Sequence, residues 1–140
     1  MATDQSEKFL IEEIKIVQDI IKRMSGHSFL IKGWTITLVV AALLFKVEQK
    51  LINQIPLAYI PLIMFWFLDS YYLRQEKLYR ELHKWLANNR LKTDVHLFDL
   101  STTRFESAEL ALCKVAACGI NLVFYMPIAV LILIYWRVQL

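Results

Sequence analysis

Apolar residues in this chain are gathered into three long runs, and charged residues fill the segments between them. The runs cover residues 29–45 (FLIKGWTITLVVAALLF), 55–73 (IPLAYIPLIMFWFLDSYYL) and 115–136 (VAACGINLVFYMPIAVLILIYW). At about 1.5 Å per residue, each run approaches or exceeds the length that a helix needs to cross a hydrocarbon layer roughly 30 Å thick. The pattern predicts an all-α integral membrane protein.

The first two runs are close neighbours, because only residues 46–54 separate them. Such a connection is too short to hold a folded domain and is typical of two adjacent helices that run in opposite directions. The spacing predicts an antiparallel transmembrane helical hairpin over residues 29–73. The third run predicts a C-terminal transmembrane helix within residues 107–140, with a re-entrant or packed helix as the alternative interpretation.

The segments that flank the hairpin have the four-three apolar spacing of amphipathic helices. Residues 1–28 form one such segment, and residues 74–106 contain the other, followed by a loop from about residue 88 to 101. If both segments leave the membrane side by side, their apolar stripes can pack together and form a stalk. The alternative for the first segment is a helix that lies flat on the membrane surface. The side chains predicted to pack in this stalk are Leu10, Ile14, Val17, Ile21, Leu78, Leu82 and Trp85.

Composition and charge agree with a membrane protein and add an orientation. Hydrophobic residues make up 57% of the chain, which is above the share of an average soluble domain. The formal net charge is +3, and bases alternate with acids, so no basic stripe indicates direct nucleic-acid binding. Five Lys or Arg lie in residues 1–32, two in 46–54, eight in 74–114 and one beyond. Because cytoplasmic segments carry more Lys and Arg, we expect the N-terminus and residues 74–106 to be cytoplasmic.

Polar residues inside the apolar runs are the candidate functional residues. Lys32 lies near the start of the first run and Asp69 near the end of the second, so a hairpin brings them to similar depth and predicts an ion pair. The alternative is that Lys32 extends toward the membrane surface while Asp69 accepts local hydrogen bonds. In an oligomer, either residue can form a ring that lines or gates a pore. Asn121 in the third run is a further pore or gate candidate, and an interhelical hydrogen bond is the simpler role.

Reactive side chains do not form a recognisable catalytic or metal pattern in the sequence. Cys113 and Cys118 are five positions apart in an apolar run, and His27, His83 and His96 are scattered. Neither arrangement has the spacing of a metal or redox site. We therefore expect no cofactor, no metal and no enzymatic activity, since an enzyme needs acid, base or nucleophile groups that converge at one depth.

The order of these features resembles the SLATT group of small bacterial two-transmembrane effectors. The shared order is an amphipathic N-terminal helix, a tight hairpin, the stretch FWFLDSYYLRQEKLYRELHKWL and a further C-terminal helix; the segment WFLDSYYLRQEKLYREL (66–82) is the most characteristic part. The resemblance covers most of the chain and implies a homo-oligomeric effector of anti-phage defence in the bacterial inner membrane. It also implies a cytosolic defence-system partner. The strongly apolar C-terminal run departs from the two-span pattern and leaves the topology of that end open.

Two functions follow as expectations. The first is an oligomeric membrane effector that forms a pore or disrupts the inner membrane when a partner or signal triggers it. The second is a non-conducting membrane adaptor that recruits a cytosolic partner through its stalk and the loop after it.

Overall fold

The computed structural model describes residues 2–49, 55–93, 95–106, 111–117 and 119–139, and within these ranges it contains helices and no strands. Two short 3₁₀ helices, Arg90–Lys92 and Thr103–Phe105, lie in the connection between the second and third α-helices. The predicted all-helical class is confirmed for these residues. The α-helices are α1 (Ala2–Gln49), α2 (Ile55–Asn89), α3 (Leu112–Ala116) and α4 (Gly119–Gln139).

The helices α1 and α2 each join an apolar half to a charged half without interruption. α1 is a single helix of 48 residues, so the predicted amphipathic segment and the first apolar run are continuous across residue 28. α2 is 35 residues long, continues past Pro61 and ends at Asn89, one residue beyond the expected end. Residues 50–54, which connect the two helices, lie outside the described residues.

α1 and α2 pack against each other in opposite directions. Their contacting residues show this, because the α2 position falls as the α1 position rises. The partners along the contact are Glu13 with Arg90, which directly follows α2, Val17 with Leu82, Lys32 with Asp69, and Val39 with Leu62.

The charged halves of α1 and α2 are held together by an apolar cluster. Val17, Leu82 and Leu86 are buried at its centre, and Leu78 is 1% exposed on the same helix. Fully burying one such side chain contributes about 1.5–3 kcal/mol. The N-terminal half of α1 therefore packs along α2, as the stalk prediction requires. The remaining predicted stalk residues pack against this cluster: Leu10, Ile14, Ile21 and Trp85.

The apolar halves bury a second cluster, through which α4 also packs. Its buried members are Val39, Ala58, Leu62, Tyr125 and Ile132. Many large apolar side chains instead face outward, as Phe29 (79% exposed), Met64 (66%) and Val123 (75%) illustrate. An outward-facing apolar surface of this extent is unusual for a soluble monomer.

Two helices in the described part of the chain are long and apolar enough to cross a membrane. They are the stretch Gln5–Leu44 within α1 and Gly119–Val138 within α4. In the part that the structure describes, the second predicted run, residues 55–73, is not one of these two helices.

Most of the third apolar run, residues 115–136, lies in α4, but this helix begins at Gly119 and not at residue 115. Val115 and Ala116 belong to α3, and Ala117 leaves the helical conformation before α4 begins at Gly119. Next to the break, the Trp66 Nε1–H on α2 donates to the Ala116 carbonyl at 3.1 Å. The last carbonyls of a helix lack a partner within the helix, and this hydrogen bond gives the Ala116 carbonyl one. Cys113 is an exposed free thiol, while Cys118 lies outside the described residues.

Candidate functional site

The buried carboxylate of Asp69 is the centre of the candidate site. The Asp69 side chain is 0% exposed, and the Nζ of Lys32, whose side chain is 21% exposed, lies 2.5 Å from its Oδ2. The predicted ion pair is therefore present, and the alternative in which the two residues act separately is not. Because removing a charge from water costs several kcal/mol, the pairing offsets a large penalty for Asp69.

Two further hydroxyl groups complete the surroundings of this carboxylate. Ser28, one turn before Lys32 on α1, donates a hydrogen bond to Asp69 Oδ1 and accepts one from Lys32 Nζ at 2.8 Å. The Tyr125 hydroxyl on α4 lies 3.2 Å from Asp69 Oδ2 and 3.3 Å from the Phe65 carbonyl. One side chain of α2 thus binds polar groups from both α1 and α4.

Asn121 lies one turn before Tyr125 and extends the polar contact between α2 and α4. Its Nδ2 donates to Ser70 Oγ at 3.1 Å, and Ser70 Oγ donates to the Trp66 carbonyl at 2.6 Å. Asn121 therefore makes the interhelical hydrogen bond that its sequence position predicted as the simpler role. Its Oδ1 is buried and has no hydrogen-bond partner in the described part of the structure, which is uncommon for a folded protein.

Aromatic rings lie next to these polar groups. The Trp66 and Tyr125 rings stack with centroids 6.2 Å apart, and Phe124 meets Tyr125 edge to face at 5.0 Å. Lys32 Nζ lies 5.8 Å from the Phe124 ring centroid, within the range of a cation–π contact. We call the six polar residues the polar cluster: Ser28, Lys32, Asp69, Ser70, Asn121 and Tyr125.

The polar cluster joins three helices through one carboxylate. Electrostatic interactions are strong in such a buried place, because little water is present to screen them. Any change in the charge or pairing of Asp69 therefore alters the contacts of α2 with both α1 and α4.

A second buried ion pair, in the charged half of the molecule, was not predicted from the sequence. Arg90 Nε lies 2.5 Å from Glu13 Oε2, and Arg90 Nη2 lies 2.7 Å from Oε1. Their side chains are 2% and 1% exposed. A signal for Glu13 was present, since it follows Leu10 by three positions and precedes Val17 by four, which places it on the apolar face.

This ion pair also holds the chain that follows α2. Arg90 donates to the carbonyls of Val95 at 2.9 Å and His96 at 2.8 Å, and the Phe98 N–H donates to Glu13 Oε1 at 2.6 Å. His96 and Phe98 have φ angles of 63° and 55°. This left-handed conformation costs roughly 1–2 kcal/mol for a residue with a side chain, so the hydrogen bonds offset local strain. We call residues 95–98 the strained turn.

One titratable group beside the strained turn has a shifted pKa. The pKa of Asp99 lies below its ordinary value, chiefly because the Ser101 N–H donates to its carboxylate, at 3.0 Å. The positive charge of Arg104 and the neighbouring His96 act in the same direction. Asp99 thus favours its charged form.

The structure also locates the remaining sequence candidates. His27 faces Tyr72 with ring centroids 5.2 Å apart, His83 lies 3.3 Å from the Gln18 amide nitrogen, and His96 belongs to the strained turn. The three histidines are therefore not brought together.

Comparison with known protein families, with characterised proteins and with solved structures finds no match to this chain. The resemblance to the SLATT group therefore stays a prediction.

Proposed function

We propose that the chain is an oligomeric membrane effector that permeabilises the bacterial inner membrane in anti-phage defence when a partner or signal triggers it. The observation that most directly supports a membrane location is the Lys32–Asp69 pair, whose carboxylate is buried between helices with apolar outer faces. The role in anti-phage defence rests on the resemblance to the SLATT group. Polar residues inside and apolar residues outside form the arrangement expected of helices packed within lipid.

In the proposed topology, the apolar halves of α1 and α2 form a transmembrane hairpin and α4 is a third span. The N-terminus and residues 74–106 are cytoplasmic, in agreement with the distribution of Lys and Arg. The polar cluster then lies near the cytoplasmic end of the spans, because Lys32 and Asp69 lie next to the charged halves of their helices. α4 crosses beside α2, and the Tyr59 hydroxyl, which donates to the Ala129 carbonyl at 3.1 Å, ties the two together.

Asp69 is the proposed gate of the effector. Its bonds to Ser28 and Lys32 fasten α2 to α1, and its contact with Tyr125 fastens α2 to α4. In the described part of one subunit, α1, α2 and α4 pack around the polar cluster, so the proposal places conduction in an assembly of several copies. Loss of the Asp69 contacts would allow the helices to separate and present the charged residues to neighbouring subunits.

Dye leakage from liposomes tests this proposal. Purified protein is reconstituted over a range of protein-to-lipid ratios, as wild type, Lys32→Gln and Asp69→Asn. We expect leakage that rises more steeply than linearly with protein content, and a changed leakage rate in both variants. Lys15→Gln and Asp19→Asn are matched controls, since they remove the same charges from exposed positions of α1. Absence of leakage at every ratio, with and without candidate partner proteins, would refute permeabilisation.

A specific surface favours the membrane adaptor as a second candidate. Four apolar side chains near the end of α2 are 40–60% exposed. They are Leu91, which follows Arg90, and Val95, Leu97 and Phe98 of the strained turn. The Glu13–Arg90 pair holds them in one position on the charged half, where a cytosolic partner can reach them. Absence of leakage in the experiment above would favour this candidate.

A further inference from the structure

A groove between the charged halves of α1 and α2 is separate from the polar cluster and from the Glu13–Arg90 pair. Its volume is about 780 Å³, within the range of small-ligand sites. On α1 it is lined by Gln18, Ile21, Lys22 and Ser25, and on α2 by Lys77, Arg80, Glu81 and Lys84, with His83 beside them.

The lining positions form two facing stripes. On α1 they follow the spacing i, i+3, i+4, i+7 from Gln18, and on α2 they follow the same spacing from Lys77. Side chains so spaced share one face of a helix, so each stripe presents one continuous face to the groove. The Gln18 and His83 side chains lie 3.3 Å apart and bridge the two helices.

The groove is predominantly basic. Four basic side chains line it, and Glu81 is the one acid among the lining residues. Glu81 accepts a bond from Lys84 at 2.6 Å, and Arg80 binds Glu76 at 2.7 Å. Lys22 supplies positive charge from the opposite helix. The packing of α1 on α2 thus places Lys22 across the groove from the basic side chains of α2, and together they give the groove a positive potential that attracts anions.

The neutral groups of the groove match a phosphate. Ser25 and Gln18 supply hydroxyl and amide donors beside the cations, and phosphate oxygens accept bonds from both kinds of group, while His83 Nε2 faces the Gln18 amide nitrogen. Several converging cations suit a group that carries more than one negative charge.

We propose that this groove binds a phosphate-bearing anion, with Lys22 and Arg80 contacting the phosphate from opposite helices. The phosphate belongs either to an anionic lipid headgroup or to a soluble phosphorylated molecule. Both sources can reach the groove, because Lys77 follows Asp69 by eight residues, about 12 Å along α2. Binding at this site does not require that the chain conducts ions.

Titrations with two probes test the proposal and separate the sources. The full chain in neutral detergent micelles is titrated with pyrophosphate in one arm and with short-chain phosphatidic acid in the other, at fixed ionic strength. The variants are Lys22→Gln and Arg80→Gln. Arg23→Gln is the matched control, because it removes one positive charge from the neighbouring exposed position, which does not line the groove.

Lys22→Gln should weaken binding of at least one probe by roughly tenfold, the effect of losing one charge-assisted hydrogen bond. Arg23→Gln should change the affinity by less than about twofold, as expected for screened surface charge. If Lys22→Gln weakens the binding of pyrophosphate, the phosphate comes from a soluble molecule. If it weakens only the binding of phosphatidic acid, the phosphate belongs to a lipid headgroup. Binding of neither probe, or equal weakening by Lys22→Gln and Arg23→Gln, would overturn the proposal. If Lys22→Gln does not fold, Arg80→Gln gives the same comparison.

Discussion

Arg90 and Glu13 are 77 positions apart in the chain, yet the guanidinium binds both carboxylate oxygens of Glu13. This pair joins the residue that follows α2 to the N-terminal part of α1. The Lys32–Asp69 pair joins the apolar halves of the same two helices. On α1 the two pairs are nineteen residues, or about 28 Å, apart. Two ion pairs at this separation, each with a buried carboxylate, specify which turn of α1 meets which part of the second arm.

Neutralising Glu13 tests this specification. We expect Glu13→Gln to lower the free energy of unfolding by about 3–5 kcal/mol, because it leaves the Arg90 charge buried without its partner. The strained turn should also become more accessible to protease, since Phe98 loses its charged acceptor. Urea unfolding in detergent micelles and limited proteolysis measure the two effects.

Lys84→Gln is the control for that variant, since it breaks an ion pair with Glu81 whose side chains are 67% and 44% exposed. Its effect should stay below about 1 kcal/mol. Equal losses of unfolding free energy in Glu13→Gln and Lys84→Gln would show that burial does not increase the contribution of the Glu13–Arg90 pair to stability.

The cluster around Val17 predicts a second difference in stability. Leu82 is 0% exposed, so Leu82→Ala should cost about 2–5 kcal/mol through lost apolar contact and the cavity that remains. Leu91→Ala removes the same atoms from a side chain that is 60% exposed and should change stability by less than about 0.5 kcal/mol. The same unfolding experiment compares them, and a loss below about 1 kcal/mol for Leu82→Ala would contradict the packing of α1 on α2.

The sequence predicted the regular part of this fold, because helical periodicity is a local property. The apolar spacing around Val17 and Leu82 indicated the stalk contact, and the order of Lys32 and Asp69 around a short connection indicated their ion pair. Both inferences require only the period of an α-helix and the assumption that the chain reverses direction once between the two helices.

The contacts that depend on irregular chain were not predictable in the same way. Arg90 follows the end of α2, and its position depends on carbonyls of the strained turn, where residues without glycine's freedom adopt positive φ. At the break between α3 and α4, the Ala116 carbonyl accepts a hydrogen bond from Trp66, some fifty residues earlier in the chain. No local pattern encodes such a pairing.

The titration of Asp99 gives a prediction about pH. Its pKa in the folded protein should lie below the ordinary 3.8, because the Ser101 N–H donates to the charged form and Arg104 attracts it. A lowered pKa stabilises the folded state above the unfolded pKa, and that contribution is lost as pH falls through the folded pKa. Carboxyl ¹³C chemical shifts followed against pH measure it.

Arg104→Gln should raise the pKa of Asp99 toward its ordinary value, since a contributing positive charge is removed. Lys92→Gln is the control, because Lys92 does not contribute to the shift. An Asp99 that titrates at or above 3.8 in the wild type would contradict the hydrogen bond from Ser101.

Removing the hydroxyl of Tyr125 distinguishes an effect of the polar cluster from an effect of helix packing. Tyr125→Phe and Tyr59→Phe each remove one hydroxyl between α2 and α4 and keep the ring, but only Tyr125 contacts Asp69. We expect both to lower stability by about 0.5–1.5 kcal/mol, the cost of one interhelical hydrogen bond. Only Tyr125→Phe should change the dependence of liposome leakage on protein content, because it alone alters the surroundings of Asp69, the proposed gate. Equal changes in leakage would assign the effect to weaker packing of α4, and an unchanged Tyr125→Phe would remove this hydroxyl from the gate.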